Sequence, residues 1–518
     1  MSEELNDVEC ADRNTKFAVQ RQVQRMRKRA LLEKDGLTEA AVCGFQQTNA
    51  LVGQSDIQLD SFILHNARLF VSKNLERYNA RFDEELIQVA FDPRRLDLWR
   101  FGPGASNGIR GSHAAEKIHQ PMSCTLLAKP LVTKLRATNP YFRLYDEANG
   151  SSGVLEVRGS RLTTVPKNED TKRTIAIEPS GNMALQLAAG QYLTNVLRSL
   201  GLDIRTQQPK NKALAKRGST DGSLATIDMK SASDMLSLSL VRQLMPPAWF
   251  DHFLRIRSGE MMLPCKEYIE LNMMSTMGNG FTFPLMTFIF TSLVYANSLL
   301  HKGRNDWIDW SCRGVFGDDI IVPTNEAATL ISLLESCGLV INHDKSYLAG
   351  PFRESCGGDY FEGFDVTPFY VKDLSTDSGV YVALNQIFEW CAKVKVLLPQ
   401  TILYLKGLLR TAVRFVPEWH GPDSGFRTSE VERNYTYLKP VLPQVRTKCA
   451  HFDVMLATGG YVSARNPAKS EYSDVVFTPR PFKTRYVVRK SRLPKGYLDG
   501  RDPLSRDHTS SIYISTYA

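Results

Sequence analysis

The stretch GVFGDDIIVP, residues 314 to 323, limits what this chain can fold into more than any other. Two adjacent aspartates stand between a glycine and runs of strand-forming apolar residues, the pattern of a β-hairpin whose tip carries the charges. Neighbouring residues on a regular strand point to opposite faces, so Asp318 and Asp319 can approach one ion only if a tight turn redirects them. Gly317 leaves room for that turn. Two like charges beside buried arms oppose folding unless a cation sits on them, so the hairpin calls for a third carboxylate and for a phosphate site.

The third carboxylate is found upstream, in LATIDMKSASDMLSLSL, residues 224 to 240. An apolar strand ends at Asp228, and a helix is expected to start around Ser233, with that serine as its cap. Magnesium and similar hard divalent ions take oxygen ligands, usually one or two carboxylates plus waters and substrate phosphates. Two such ions about 4 Å apart would activate a hydroxyl and stabilise the leaving oxygen of an in-line phosphoryl displacement. Taken singly, each aspartate is equally well a turn or cap residue. The strand-end aspartate combined with the hairpin pair is what points to metal-assisted phosphoryl transfer.

A triphosphate also needs fixed cations, and VPKNEDTKRTIAIEP, residues 165 to 179, offers Lys167, Lys172 and Arg173 in a strand-like setting. Arginine grips phosphate oxygens bidentately and lysine acts as a point charge. Standing alone, the stretch is also an ordinary surface hairpin. Past the short strand LVIN, Lys345 could serve as general acid to a leaving pyrophosphate, or be a solvated strand-end lysine. In STMGNGF, residues 275 to 281, Ser275 and Asn279 could read ribose hydroxyls, while Gly278 and Gly280 let the backbone approach a nucleotide. Capping alone would also explain Ser275.

The surroundings suggest how these pieces are held. FTFPLMTFIFTSLVYANSLL, residues 281 to 300, is long enough to cross a bilayer at about 20 residues, yet it contains Pro284, Ser292, Asn297, Ser298 and threonines at 282, 287 and 291. A buried helix with Pro284 in its first turn is the better reading. NEAATLISLLESCG then repeats apolar residues at Ala327, Leu330, Ile331 and Leu334 and stops at Gly338, as a helix does. The order strand, helix, helix, hairpin, helix, strand predicts an α+β fold: a small, mostly antiparallel sheet with helices on one face.

Composition adds bounds. At about 150 residues per domain, 518 residues make roughly three structural units, and 43% hydrophobic with 23% charged residues is the balance of a globular protein. A formal charge of +9 makes nucleic acid a reasonable partner. The nine cysteines form no CxxC pair and no signal peptide opens the chain; this predicts reduced thiols in a cytoplasm, most of them small core residues. RQVQRMRKRALLEK, residues 21 to 34, could touch RNA phosphates or be a solvated helix face. FGPGASNGIRGSH, residues 101 to 113, is a glycine-rich loop without the GxxxxGK[ST] phosphate pattern.

In order, VPKNEDTKRTIAIEP, LATIDMKSASD, STMGNGFTF, FGDDIIVP and GPFRESCGGDYFEGFDVTPFYVK resemble the palm and inner fingers of the replicase β subunit of leviviral RNA phages, a family of RNA-directed RNA polymerases, over about residues 160 to 372. The resemblance implies magnesium ligation by Asp228, Asp318 and Asp319, with manganese as a substitute. It implies triphosphate contacts at Lys167 and Arg173, ribose recognition by Asp234, Ser275 and Asn279, and a proton donor at Lys345. Pro351 to Lys372 resembles the palm-to-thumb motif that supports the product strand. Three residues depart from the family pattern: Phe316 stands where tyrosine is usual before GDD, Pro284 replaces an acidic residue, and Lys230 sits where serine or alanine is usual.

The fold this implies is a right-hand polymerase, with fingers and N-terminal region at 1–213, palm at 214–370, and thumb and C-terminal region at 371–518. The implied activity is primer-independent, two-metal nucleotidyl transfer that replicates and transcribes a single-stranded phage RNA genome. The implied partners are the RNA template and product, ribonucleoside triphosphates, host elongation factors Tu and Ts, and a host ribosomal RNA-binding protein. No membrane is involved, and the expected place is the cytoplasm of the infected bacterial host. A reverse transcriptase shares the aromatic-x-Asp-Asp hairpin, but the Ser275 to Phe281 loop and Asp234 argue against it. A two-metal nuclease or a non-catalytic RNA-binding protein would not need the Lys167 and Arg173 clamp.

Overall fold

The computed structural model describes residues 1–493 apart from 9, 11, 28–35, 56, 80–99, 103, 113–116, 118–119, 139–141, 143–145, 148–149, 151–152, 169, 303–307, 442–444, 451–471 and 478–484. The chain divides into two compact units, one of residues 12–368 with 444–482, the other of residues 1–11, 369–443 and 483–518. In the larger unit one apolar core draws on residues from Phe45 to Ile341.

The larger unit is built around the helix Thr282–Lys302. It is apolar on every side, so it can only be buried; Leu285, Phe288, Ile289, Phe290, Leu293 and Val294 are wholly enclosed. Its hydroxyls do not oppose this. Thr287 and Thr291 donate to Phe283 O (2.8 Å) and Thr287 O (2.7 Å), one turn back. Among the described residues one helix is long and apolar enough to span a membrane, and 83% of that window is buried inside the protein. This is the buried helix the sequence predicts. Helices Ser61–Asn79 and Ser180–Ser199 pack on it, the first through Phe70, whose ring lies 4.8 Å from Tyr295.

Beside this helix lies a three-stranded sheet in the order Leu224–Ile227, Asp319–Pro323, Gly314–Phe316. Both pairings are antiparallel, with Ile320 opposite Ile227 and Asp319 opposite Phe316. The expectation of helices on one face needs correction. Ile320 and Val322 join the core of Thr282–Lys302 and Thr324–Ser336, whereas Ile321 and Leu224 pack with Leu214 and Ala215 of the helix Gln207–Asp221. Burial on both faces is why the central strand reads as an unbroken apolar run rather than an alternation.

A second correction concerns the chain after Asp228. Met229–Lys230 pairs with Val340–Ile341, and Ala232–Asp234 forms a single 3-10 turn. Ser231 enters that turn in a left-handed conformation (φ 49°), which spends Ser233 inside the turn and delays the helix. The helix is Leu238–Leu244, and Ser237, not Ser233, caps it by accepting from Leu240 N at 3.0 Å.

The residues carrying Lys167 and Arg173 form a hairpin, Ser160–Asn168 with Thr171–Ile177, within a four-stranded sheet that continues through Glu260–Met262 and Tyr268–Glu270. Arg13–Arg27 is helical; the remainder of the predicted basic helix lies outside the described residues. Its Arg21 pairs with Asp359 and Glu354 and covers the Phe352 ring, so that arginine belongs to a packed face. The described part of 101–113 contains neither helix nor strand. The eight cysteines whose side chains are described are free, and of these only Cys124, Cys337 and Cys391 are buried, fewer than predicted.

The smaller unit pairs helices Asp377–Val394 and Pro399–Gly407 with a long antiparallel ribbon, Asn434–Val441 against Arg485–Arg492. Glu4 caps the second helix, accepting from the N–H groups of Gln400 (2.8 Å) and Thr401 (2.9 Å).

Candidate active site

The sheet register assembles the carboxylates. Ile227, which ends its strand, pairs with Ile320, so Asp228 leaves the one strand where Asp319 begins the other, and the two carboxylates repel each other. Phe316 pairs with Asp319, so Gly317 and Asp318 are the two-residue turn; Gly317 has φ 59°, and a Cβ there would collide with the Phe283 ring. Thr287 Oγ1 accepts from Gly317 N at 3.1 Å, so the buried helix holds the turn directly. Phe316 rests edge-on against Phe283, with ring centroids 4.8 Å apart.

Asp228 and Asp319 are each held by residues outside the hairpin. Asn342 donates to Asp228 Oδ2 at 2.6 Å, and Ser346 Oγ accepts from Asp228 N at 3.1 Å. Cys356 N and Ser355 Oγ donate to Asp319 Oδ1 at 3.2 Å and 3.4 Å. Burial pushes all three acids above the ordinary aspartate range, Asp319 to about 6, with Asp318 and Asp228 adding repulsion.

Three cations face them. Arg173, Lys345 and Lys167 all act on Asp318 to oppose its upward shift. Burial, and then repulsion from Arg173 and Lys345, pushes the Lys167 ammonium below its usual range. Crowded cations of this kind suit an anion. Lys172, on the opposite side of its strand, instead donates to Thr38 Oγ1 at 3.0 Å and does not join the group. Lys345 is half-exposed, 4.0 Å from Glu354 Oε1, and lines a cavity of about 340 Å³ with Arg21, Asn342 and Asp359.

Among the described residues, no three acidic, histidine or cysteine groups converge closely enough to form a ready metal shell. The donor set nonetheless fits a hard divalent cation. It consists of carboxylate oxygens that repel one another at adjoining strand ends.

The residues expected to read the sugar lie on one loop and the turn beside it. Asp234, pushed up to about 6 by burial, accepts from Met277 N at 3.3 Å. Ser275 is only 3% exposed and its hydroxyl has no protein partner, so it caps nothing. Asn279 turns inward: its Oδ1 accepts from Phe281 N at 3.0 Å, and its side chain lies near enough to Glu178 to favour the charged form of that carboxyl. Asn342 and Glu178 escape the sequence reading. The first lies three residues before Lys345, the second ends the strand of Arg173, and neither position signals a buried partner.

Acidic strand ends facing crowded cations, on a mixed helix-and-sheet scaffold, make up this candidate site. The family model for RNA replicase, beta-chain, matches residues 38–435, more than half of the chain, and the chain belongs to that family. It is 40% identical over 305 residues to the RNA-directed RNA polymerase subunit beta of Enterobacteria phage SP, covering 57% of this chain and 52% of that protein. It is 35% identical over 346 residues to the corresponding subunit of Escherichia virus Qbeta, covering 63% and 56%. The chain thus matches about half the length of these relatives. An RNA-dependent RNA polymerase from a human picorbirnavirus overlaps with a TM-score of 0.33 at 14% identity, over 46% of this chain and 54% of that one, too slight a likeness to bear on the fold.

Proposed function

We propose that the chain is an RNA-directed RNA polymerase that extends a strand from ribonucleoside triphosphates on a single-stranded RNA template, without a primer, to replicate and transcribe a phage genome. The observation that carries this reading is the sheet register that pairs Ile227 with Ile320 and so brings Asp228 and Asp319 to adjoining strand ends, with Asp318 in the turn and Arg173, Lys167 and Lys345 acting on it. Family membership supports it.

In this reading Asp228, Asp318 and Asp319 hold the metal, magnesium or in its place manganese. When bound, two such ions activate the attacking hydroxyl and stabilise the leaving oxygen. Lys167 and Arg173 grip the triphosphate, and Lys345 gives a proton to the departing pyrophosphate. Asp234 and the unpartnered Ser275 hydroxyl read the sugar. Residues 1–213 serve as fingers and N-terminal region, 214–370 as palm, and 371–518 as thumb and C-terminal region. The partners are the RNA template and product, with host elongation factors Tu and Ts and a ribosomal RNA-binding protein, in the cytoplasm of the infected bacterium.

The test is templated synthesis by the purified chain in magnesium, with and without host factors, beside Asp318→Asn. Partners of metal ligands are themselves worth about 10–100-fold, so loss of a ligand is expected to leave less than about one hundredth of parental synthesis. Synthesis by the variant at the parental rate would falsify the metal assignment. A preference for deoxyribonucleotides on the same template would instead mark a reverse transcriptase.

A further inference from the structure

The proposed chemistry leaves Glu178 unused. This carboxylate follows the strand that carries Arg173 and is 3% exposed. Ser258 Oγ donates to its Oε2 at 2.6 Å and Gln186 Nε2 at 3.2 Å, and Asn279 of the sugar-reading loop lies near enough to favour its charged form. The buried Arg257 guanidinium attracts it electrostatically and donates to Leu271 O at 2.7 Å. A buried carboxylate opposes stability unless bonded and paired, and an apolar side chain of similar volume would often stabilise more. What Glu178 holds is therefore informative.

Three further contacts tie the same loop to the same strand and the helix behind it. Ala176 N donates to Met277 O at 2.8 Å. Gly278, at φ 106°, lies so close that a Cβ would collide with Ala176 O. Gly280 N donates to Gln186 Oε1 at 3.1 Å, on the residue whose amide also donates to Glu178. The backbone contacts set the distance between loop and strand. Glu178, through Asn279 and Gln186, supplies the side-chain link.

We propose that Glu178 is a positioning residue for sugar selection: it fixes Asn279 and the Ser275 to Phe281 loop relative to the strand of Arg173. Triphosphate grip and ribose reading then belong to one rigid body. A deoxyribonucleotide held by the same phosphates cannot shift to recover the contact it lacks. This inference rests on the polymerase reading above.

Glu178→Gln keeps the shape and removes the charge. The full chain, with whatever host factors the parent requires, is assayed on one RNA template with ribo- and deoxyribonucleoside triphosphates, and its thermal midpoint is recorded. Misplacement by about 1 Å can cost about 100-fold. The ratio of kcat/KM for ribo over deoxy is therefore expected to fall at least about tenfold, mostly through KM for the ribonucleotide. If the midpoint drops while that ratio holds, Glu178 is only structural and the inference is overturned. Should Glu178→Gln fail to fold, Ser258→Ala removes one donor to the same carboxylate; it must lower the ratio by a smaller factor, and an unchanged ratio overturns the inference. Combining Glu178→Gln with Asn279→Ala should cost no more selectivity than Asn279→Ala alone, and full additivity would show that Glu178 does not act through Asn279. A parent that synthesises no RNA defeats the polymerase reading itself, an outcome separate from all of these.

Discussion

Two groups of buried charge border the same buried helix, and they are handled oppositely. Arg313 and Glu326 form a closed pair: the guanidinium bonds Glu326 directly, donates from Nε to Ser298 Oγ at 2.9 Å and from Nη1 to Asp309 O at 2.8 Å. Ser298 in turn donates to Glu326 Oε2 at 2.7 Å. At the other group, Asp228, Asp318 and Asp319 meet one another as like charges and are pushed upward. The first network is complete within the protein, so its role is to hold the fold. The second keeps like charges together despite the cations beside it, which is the mark of a functional site.

The largest expected effect breaks the closed pair. Arg313→Met leaves Glu326 buried alone and should destabilise the chain by about 3–5 kcal/mol, measured by denaturant unfolding, while the folded fraction keeps its metal response. A smaller loss would mean that water reaches the pair.

Next comes the open group. Asp319→Asn should lower synthesis more than about 100-fold, by the ligand argument given for Asp318. Without metal it should also raise stability. Asp319 titrates at about 6 in the fold, above its ordinary 3.8, so between those values the unfolded chain loses its proton first and the native state is penalised as pH rises. The penalty is fully present above pH 6 and absent below 3.8. The variant should therefore be more stable at pH 7 by up to about 3 kcal/mol, a gain that fades on acidification. A destabilised variant at pH 7 would erase the contrast between the two groups.

Magnesium tests the same contrast from the ligand side. At one hundred times its dissociation constant a bound ion adds about 2.7 kcal/mol, so the parental melting temperature should rise with magnesium and that of Asp319→Asn should not. An equal rise in both would place the ion elsewhere.

The smallest effect is expected at Phe316, whose ring touches Phe283 rather than a carboxylate. Phe316→Tyr should change stability by no more than about 0.5 kcal/mol and leave magnesium dependence intact. A shifted magnesium requirement would show that the family's tyrosine hydroxyl reaches the site.

Much of this site was legible because its signals are local. A glycine before two aspartates between apolar arms can form few structures other than a tight hairpin, and Asp228 at a strand end follows from the run Leu224 to Ile227. Pro284, Asn297 and the serines and threonines within it made a buried helix the better reading of a membrane-length stretch. The errors fall where the deciding partner is remote in sequence. Ser233 and Ser237 are both plausible caps, and the left-handed Ser231 selects the later one. Lys172 and Arg173 look alike in the sequence, but the strand's alternation and Thr38 send one away from the site.

Sequence alone determined the turn, the strand ends and the chemical types of the groups, since backbone sterics and side-chain period act within a few residues. Tertiary structure decided which groups meet. It brought Asp228 and Asp319 to adjoining strand ends, covered the sheet on both faces, brought Asn342 to Asp228, and turned Asn279 inward. The reason is physical: a buried polar group must find a partner wherever the packed chain supplies one, and that partner can lie a hundred residues away.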